Sequence, residues 1–150
     1  MTRVVAFLAV VALLAACGRE SGEEARPEDC VELQQVETDS GLRYMDLDCG
    51  EGEEAIDGSA VTVHYEGRLE DGTVFDSSRR RRQPFTFVLG DGRVIPGWEE
   101  GIEGMLTGGV RRLILPPELA YGEDGYPPLV PAEATVVFEI ELRRVRPPAD

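Results

Sequence analysis

The side chains that most often carry out covalent chemistry are scarce in this 150-residue chain. One histidine, His64, stands alone, and the hydroxyls of Ser77 and Ser78 lie in no G-x-S-x-G turn, with no histidine base in evident reach. All 15 basic residues are arginine, and the absence of lysine excludes Schiff-base chemistry. The 29 acidic residues scatter over turns and outward strand positions and form no pair suited to acid–base work. A single histidine makes a poor metal site, and no metal or other cofactor is expected. GDGRVIPG lacks the spacing and the Lys-Ser/Thr ending of a phosphate loop.

What the chain does have is aromatic. Tyr65, Phe75, Phe85, Phe87, Trp98, Tyr121, Tyr126 and Phe138 each sit near a glycine, a proline or a turn. Any one of them alone is better read as core. Together they exceed what a small core already rich in Val, Ile and Leu requires. An aromatic slot with few polar groups suits a compact, flat, apolar ligand, and a proline ring is such a ligand.

The elements that would have to position these rings are mostly short strands. GLRYMDLDCG reads as one strand, closed by the acidic, Gly-rich GEGEEAIDG. VTVHYEGRL places Val61, Val63 and Tyr65 on one face and leaves His64 on the other, expected to be solvated. Glu70-Asp71-Gly72 signals a hairpin returning as TVFDSS, and PFTFVLG alternates Phe85, Phe87 and Leu89. VRRLIL is stopped by Pro116-Pro117, and ATVVFEIELRRV directs Val136, Phe138, Ile140 and Leu142 to one side. Between them PGWEEGIEGML is the one convincing helix, with Trp98, Ile102, Met105 and Leu106 on one face. Its internal glycines weaken it, so it must lean on tertiary packing. The pattern is that of an α+β domain with a helix covering the apolar face of an antiparallel sheet. Trp98 would floor the hollow left between them.

The ends of the chain carry different information. Residues 1–16 give one arginine and an apolar run too short to span a bilayer but suited to a secretory signal. The run ends in Leu14-Ala15-Ala16-Cys17, which resembles the lipobox of bacterial lipoproteins. That resemblance implies cleavage before Cys17, acylation of Cys17 and attachment to a membrane. Gly18 after the cysteine favours an outer-membrane address facing the periplasm. The polar residues 17–29 read as a tether, and residues 30–150 as the folded domain. Cys30 and Cys49 form an even pair in an exported chain, where a disulfide is the usual outcome; two free thiols or a metal site are the alternatives. The formal charge of −14 argues against nucleic acid. The run Arg79 to Arg82 is read as a solvated loop, or alternatively as a positive lip for anionic lipid or acidic clients.

Three blocks, VTVHYEGRLEDGTVFDSS, PFTFVLGDGRVIPGWEEGIEGM and LAYGEDGYPPLVPAEATVVFEIEL, resemble in order and spacing the FKBP-type peptidyl-prolyl cis-trans isomerases. The resemblance runs from about Ser40 to Val145. It implies a strongly twisted antiparallel half-barrel sheet of five to six strands wrapped around one short α-helix. It assigns Tyr65, Phe75, Asp76, Tyr121 and Phe138 to catalysis of Xaa-Pro rotation. Phe85, Val94, Ile95, Trp98, Leu129 and Val130 would contact the substrate. The Tyr121 hydroxyl and the Ile95 N–H would donate to substrate carbonyls. Two positions depart from the family pattern: Tyr126 stands where many relatives have histidine, and Pro96 where a basic or polar residue is common. The implied partners are proline-containing segments of exported proteins and macrolide inhibitors such as rapamycin. No segment favours dimerisation, so a monomer is expected. A noncatalytic proline-binding or chaperone module of the same fold, and an adhesion or assembly factor with an incidental pocket, are the competing readings.

Overall fold

The computed structural model describes residues 30–149. The segments read as signal sequence, lipidation site Cys17 and tether lie outside them. Seven strands and one helix follow in the order β1 (Gln35–Glu37), β2 (Arg43–Asp48), β3 (Ala60–Leu69), β4 (Val74–Ser77), β5 (Phe85–Val88), α1 (Pro96–Ile102), β6 (Val110–Leu115) and β7 (Val136–Arg146). They make one antiparallel sheet ordered β1-β2-β6-β7-β3-β4, with β5 paired to β3 beside β4. The long strand β3 thus takes β7 along one edge and, on the other, β5 at its start and β4 at its end.

The expected five to six strands become seven because of β1. Its three residues are all exposed and carry no apolar alternation, so no sequence signal marks them. Pairing with β2 and the Cys30–Cys49 disulfide, with Cα atoms 6.1 Å apart, hold this end of the chain to the sheet. The disulfide reading of those two cysteines therefore stands over free thiols or metal.

The alternation read in β3 and β7 survives folding. Val61, Val63 and Tyr65 from β3, and Val136, Phe138, Ile140 and Leu142 from β7, are all buried in one core. Near its end β7 carries a bulge: Thr62 faces Arg144 while Val63 faces Leu142. The extra residue, Arg143, shifts the period by one, which is why Val145 is buried and Arg144 is not.

Helix α1 is shorter than its apolar spacing suggested. Pro96 opens it, as a residue with fixed φ and no N–H does at a first turn. Glu103 then leaves helical conformation with ψ 133°, and Gly104 turns at φ 80°. Met105 and Leu106 remain buried, but in a turn bonded to residues 53–55, where the Ala55 N–H donates to the Met105 carbonyl at 2.8 Å.

The helix lies almost flush on β6, and its glycines are the reason. A Cβ on Gly97 would stand 2.5 Å from Leu115 Cδ2, and one on Gly101 would stand 2.6 Å from Leu113 Cδ1. Both leucines are fully buried. The helix C-terminus is satisfied from the sheet. Arg111 donates from Nη1 to the Gly101 carbonyl at 3.1 Å while its Nε and Nη2 reach Asp46 at 2.6 and 3.0 Å. The guanidinium also lies 4.4 Å from the centre of the Tyr44 ring. One buried arginine thereby joins β2, β6 and α1.

Two opposed effects meet at Gly101, and their signs differ. Helix propensity alone would make Gly101→Ala stabilising by about 1 kcal/mol, whereas overpacking against Leu113 costs about 1–3 kcal/mol. We expect net destabilisation in urea unfolding, accompanied by a shifted Trp98 emission. A more stable variant would show that the helix does not sit against β6 in this way.

Candidate active site

The concave side of the sheet and the helix wall an open pocket of about 190 Å³. That is the share of roughly six waters, room for one small ring and its amide. Its walls come from five elements and two loops. Tyr65 is contributed by β3, Asp76 by β4, Phe85 by β5, Trp98 by α1 and Phe138 by β7. Arg93, Val94 and Ile95 come from the loop before α1, and Tyr121 from the loop after β6.

Trp98 is the hub. Its ring centre lies 4.8 Å from Tyr65 and 5.3 Å from Phe138, both edge-on, with Phe85 at 6.2 Å and Phe87 at 6.0 Å. Edge-to-face contacts of this kind contribute about 0.5–1.5 kcal/mol each beyond their buried area. Its Nε1 is the buried side-chain polar atom without a hydrogen-bond partner among the described residues. Leaving such a donor unmet costs about 1–3 kcal/mol.

Phe75 stands behind the wall rather than on it, packed edge-on to Phe138 at 5.6 Å and to Tyr121 at 6.0 Å. Gly67 of β3 makes that packing possible: a Cβ there would lie 2.7 Å from both the Phe75 and Phe138 rings. Leu129 and Val130, expected to touch substrate, are also off the wall. Leu129 is 46% exposed, whereas Val130 is 1% exposed and packs into the core. The Val130 side chain offers no surface to a ligand, because Tyr126 and Val130 exchange backbone hydrogen bonds at 2.8 and 2.9 Å and turn it inward. Tyr126 is exposed beside Tyr121, ring centres 5.8 Å apart.

The loop carrying Val94 and Ile95 is shaped by the helix it precedes. Glu99, in the first turn of α1, accepts the Gly90 N–H at 2.5 Å and the Gly92 N–H at 3.0 Å. Gly90 has φ 87°, a left-handed conformation that side chains rarely adopt. The Ile95 N–H, freed by this path, has no acceptor among the described residues.

Asp76 is neutralised where it stands. It accepts the Tyr65 hydroxyl at 2.6 Å and forms an ion pair with Arg81, whose Nη2 also donates to the Tyr65 oxygen at 2.8 Å. Arg79 pairs with Glu141. The run Arg79 to Arg82 is therefore neither a wholly solvated loop nor a plain positive lip, since two of its members are spoken for by carboxylates. Sequence reasoning missed Arg81 because nothing in a run of four arginines distinguishes the one that folds back.

His64 and Ser78 also meet, against expectation, with Nδ1 3.0 Å from Oγ. Ser78 is nonetheless no nucleophile. It is fully buried, and its oxygen accepts the Tyr65 N–H at 2.8 Å while donating to the Tyr65 carbonyl at 3.2 Å.

Burial pushes the Tyr65 phenol up, with its bond to Asp76 adding to the effect and Arg81 opposing it. Tyr121 is pushed up to about 12, first by burial and then by the charges of Asp76, Tyr65 and Tyr126. Its hydroxyl has no partner among the described residues, so it stands as a protonated donor facing the cavity.

With this geometry in hand, the likeness to known proteins is specific. The sequence profile described as FKBP-type peptidyl-prolyl cis-trans isomerase matches residues 51–143. An FK506-binding protein of Neisseria meningitidis serogroup B is 52% identical over 105 residues, 70% of this chain and 96% of that one. Human peptidyl-prolyl cis-trans isomerase FKBP2 is 53% identical over 88 residues, 59% of this chain and 62% of its own. The crystal structure of AtFKBP13 superposes with a TM-score of 0.71 at 42% identity, covering 75% of this chain and 99% of that one. The chain belongs to the FKBP-type peptidyl-prolyl cis-trans isomerase family.

The raised phenols are testable. Because folding holds their protons more tightly than the reference value of about 10, the associated stability is full below pH 10. It is lost as pH climbs toward 12. Absorbance titration should show a phenol transition near pH 12 that vanishes in Tyr121→Phe. A Tyr121 transition near 10 would mean that its hydroxyl is solvated.

Proposed function

We propose that the cavity floored by Trp98 binds a prolyl ring and accelerates rotation about the preceding imide bond, on polypeptides outside the cytoplasm. One observation carries the reading: an apolar aromatic slot whose two available donors, Tyr121 Oη and Ile95 N–H, have no partner of their own among the described residues. A slot built to hydrolyse its substrate would hold an exposed nucleophile or an unpaired carboxylate. This one holds neither.

Resonance in the amide sets a rotation barrier of about 18–20 kcal/mol. The planar imide is the more polar state and is stabilised by water; the twisted state has lost that charge separation. Transfer into an apolar slot removes the solvation of the planar form and so lowers the relative cost of twisting. Tyr121 and Ile95 hold the flanking carbonyls and fix the peptide in a turn. Asp76, already paired with Tyr65 and Arg81, brings little free charge into the slot and braces the Tyr65 wall. Phe138 forms part of the wall, and Phe75 supports it from behind. An aromatic pocket of this kind catalyses by desolvation and orientation, with no covalent step.

The relatives called FK506-binding proteins support macrolide binding in the same slot, FK506 or rapamycin competing with the prolyl ring. For location, the Leu14-Ala15-Ala16-Cys17 pattern supports an exported protein held by lipid on Cys17, in an outer membrane facing the periplasm, with proline-containing exported chains as clients and the protein acting as a monomer. Among the described residues no helix is long and apolar enough to cross a membrane. The Cys30–Cys49 disulfide fits an oxidising compartment.

Exchange NMR on a short Xaa-Pro peptide is the direct test. Wild-type protein should accelerate cis-trans exchange, and Tyr121→Phe should slow it about 2- to 10-fold, the worth of one hydrogen bond. Asp76→Val, which strips Arg81 of its partner, should lose at least about as much. Saturable peptide binding without acceleration would make the protein a proline-binding holdase instead. Separately, radiolabelled palmitate should label the protein in cells and fail to label Cys17→Ser; equal labelling of both would remove the lipid anchor.

A further inference from the structure

One charged residue on the cavity wall plays no part in the rotation. Arg93 lines the slot together with Val94 and Ile95, yet its side chain is 78% exposed. Its ion-pair partner among the described residues is Asp91, itself 44% exposed, with Nε–Oδ2 at 3.3 Å, within ion-pair distance but without hydrogen-bond geometry. Nη1 and Nη2 have no partner among the described residues. The other charged group on the wall, Asp76, is neutralised by Arg81. Arg80 and Arg82, in the loop that sends Arg81 to Asp76, also have no ion-pair partner among the described residues. In a chain of formal charge −14, the slot wall thus carries one arginine whose Nη donors are unpaired among the described residues.

We propose that Arg93 selects substrates carrying an acidic side chain next to the proline. This rests on the slot being the isomerase site. Arg93 lies two residues before Ile95, whose free N–H would hold a substrate carbonyl. Extended chain advances about 3.3 Å per residue, so a peptide lying along that N–H brings a neighbouring side chain within reach of the guanidinium. The paired Nη donors match a carboxylate in a two-pronged fork, which an ammonium on the same backbone would not. Asp76, the acid on the wall, is already paired with Arg81, which leaves Arg93 to set the preference. Net charge opposes acidic substrates at long range. At 0.15 M salt the Debye length is about 8 Å, which screens that repulsion and leaves the contact pair.

The test compares capped Xaa-Pro peptides differing in one residue, Glu, Gln or Lys, placed once before and once after the proline. kcat/KM is measured at 0.15 M salt. In one of the two positions Glu should exceed Lys by about 2- to 5-fold, the range of an exposed ion pair. Arg93→Gln should erase that ratio, Arg93→Lys should retain part of it, and Arg93→Glu should invert it. The ratio depends on two substrates of the same variant, so a general loss of activity from a displaced Val94–Ile95 loop does not mimic it. Equal rates for Glu and Lys peptides in wild type, or an unchanged ratio in Arg93→Gln and Arg93→Glu, overturn the proposal while leaving the isomerase reading in place. No acceleration of any peptide by wild type takes both down.

Discussion

The closeness of one seven-residue helix to one strand governs the rest of this structure. Helix α1 can seat its backbone against Leu113 and Leu115 only because Gly97 and Gly101 present no side chain there. At that depth Trp98, between them, is level with Tyr65 of β3 and Phe138 of β7, and its indole closes the bottom of the cavity. A helix held farther off by ordinary side chains would lift the floor and open the slot to water. Glycine is costly to a helix this short, by about 1 kcal/mol each relative to alanine. Packing against a fully buried strand, the glutamate clamp on Gly90 and Gly92, and the Arg111 bonds at the other end offset that cost.

The same economy of shape extends to the polar groups. A slot that works by keeping water and charge away from an imide cannot contain a bare carboxylate. Asp76 is present but carries a hydrogen bond from Tyr65 and an ion pair from Arg81, the latter reaching in from a loop that otherwise faces solvent. What the slot leaves unpaired are two donors, the Ile95 N–H and the Tyr121 hydroxyl. Donors without acceptors in an apolar wall define where carbonyl oxygens of a bound peptide would go. Gly67 plays a comparable part, letting Phe75 pack edge-on against the back of the wall residue Phe138.

Much of this was legible in the chain before folding was considered, and the misses have physical causes. Alternation in β3 and β7 marked the core correctly because each strand has one face in it. β1 escaped because it is short, exposed and held only by pairing and a disulfide. The apolar spacing that extended α1 to Leu106 was a coincidence of a buried turn, since burial by itself does not report helical dihedrals. Leu129 and Val130 are neighbours in sequence, yet the chain reversal between Tyr126 and Val130 puts one in solvent and the other in the core.

By itself the sequence determined the fold class, the family and most of the cavity wall, because strand period, the Pro-Gly opening of the helix and the order of three motif blocks are local properties of the chain. Tertiary structure alone decided which arginine of four pairs with Asp76, that Arg93 stands on the wall with its Nη donors unpaired among the described residues, and that His64 and Ser78 touch without forming a reactive pair. These depend on where loops return to in space. Side-chain reach and partner identity are set by contacts between residues far apart in sequence, and no periodicity encodes them.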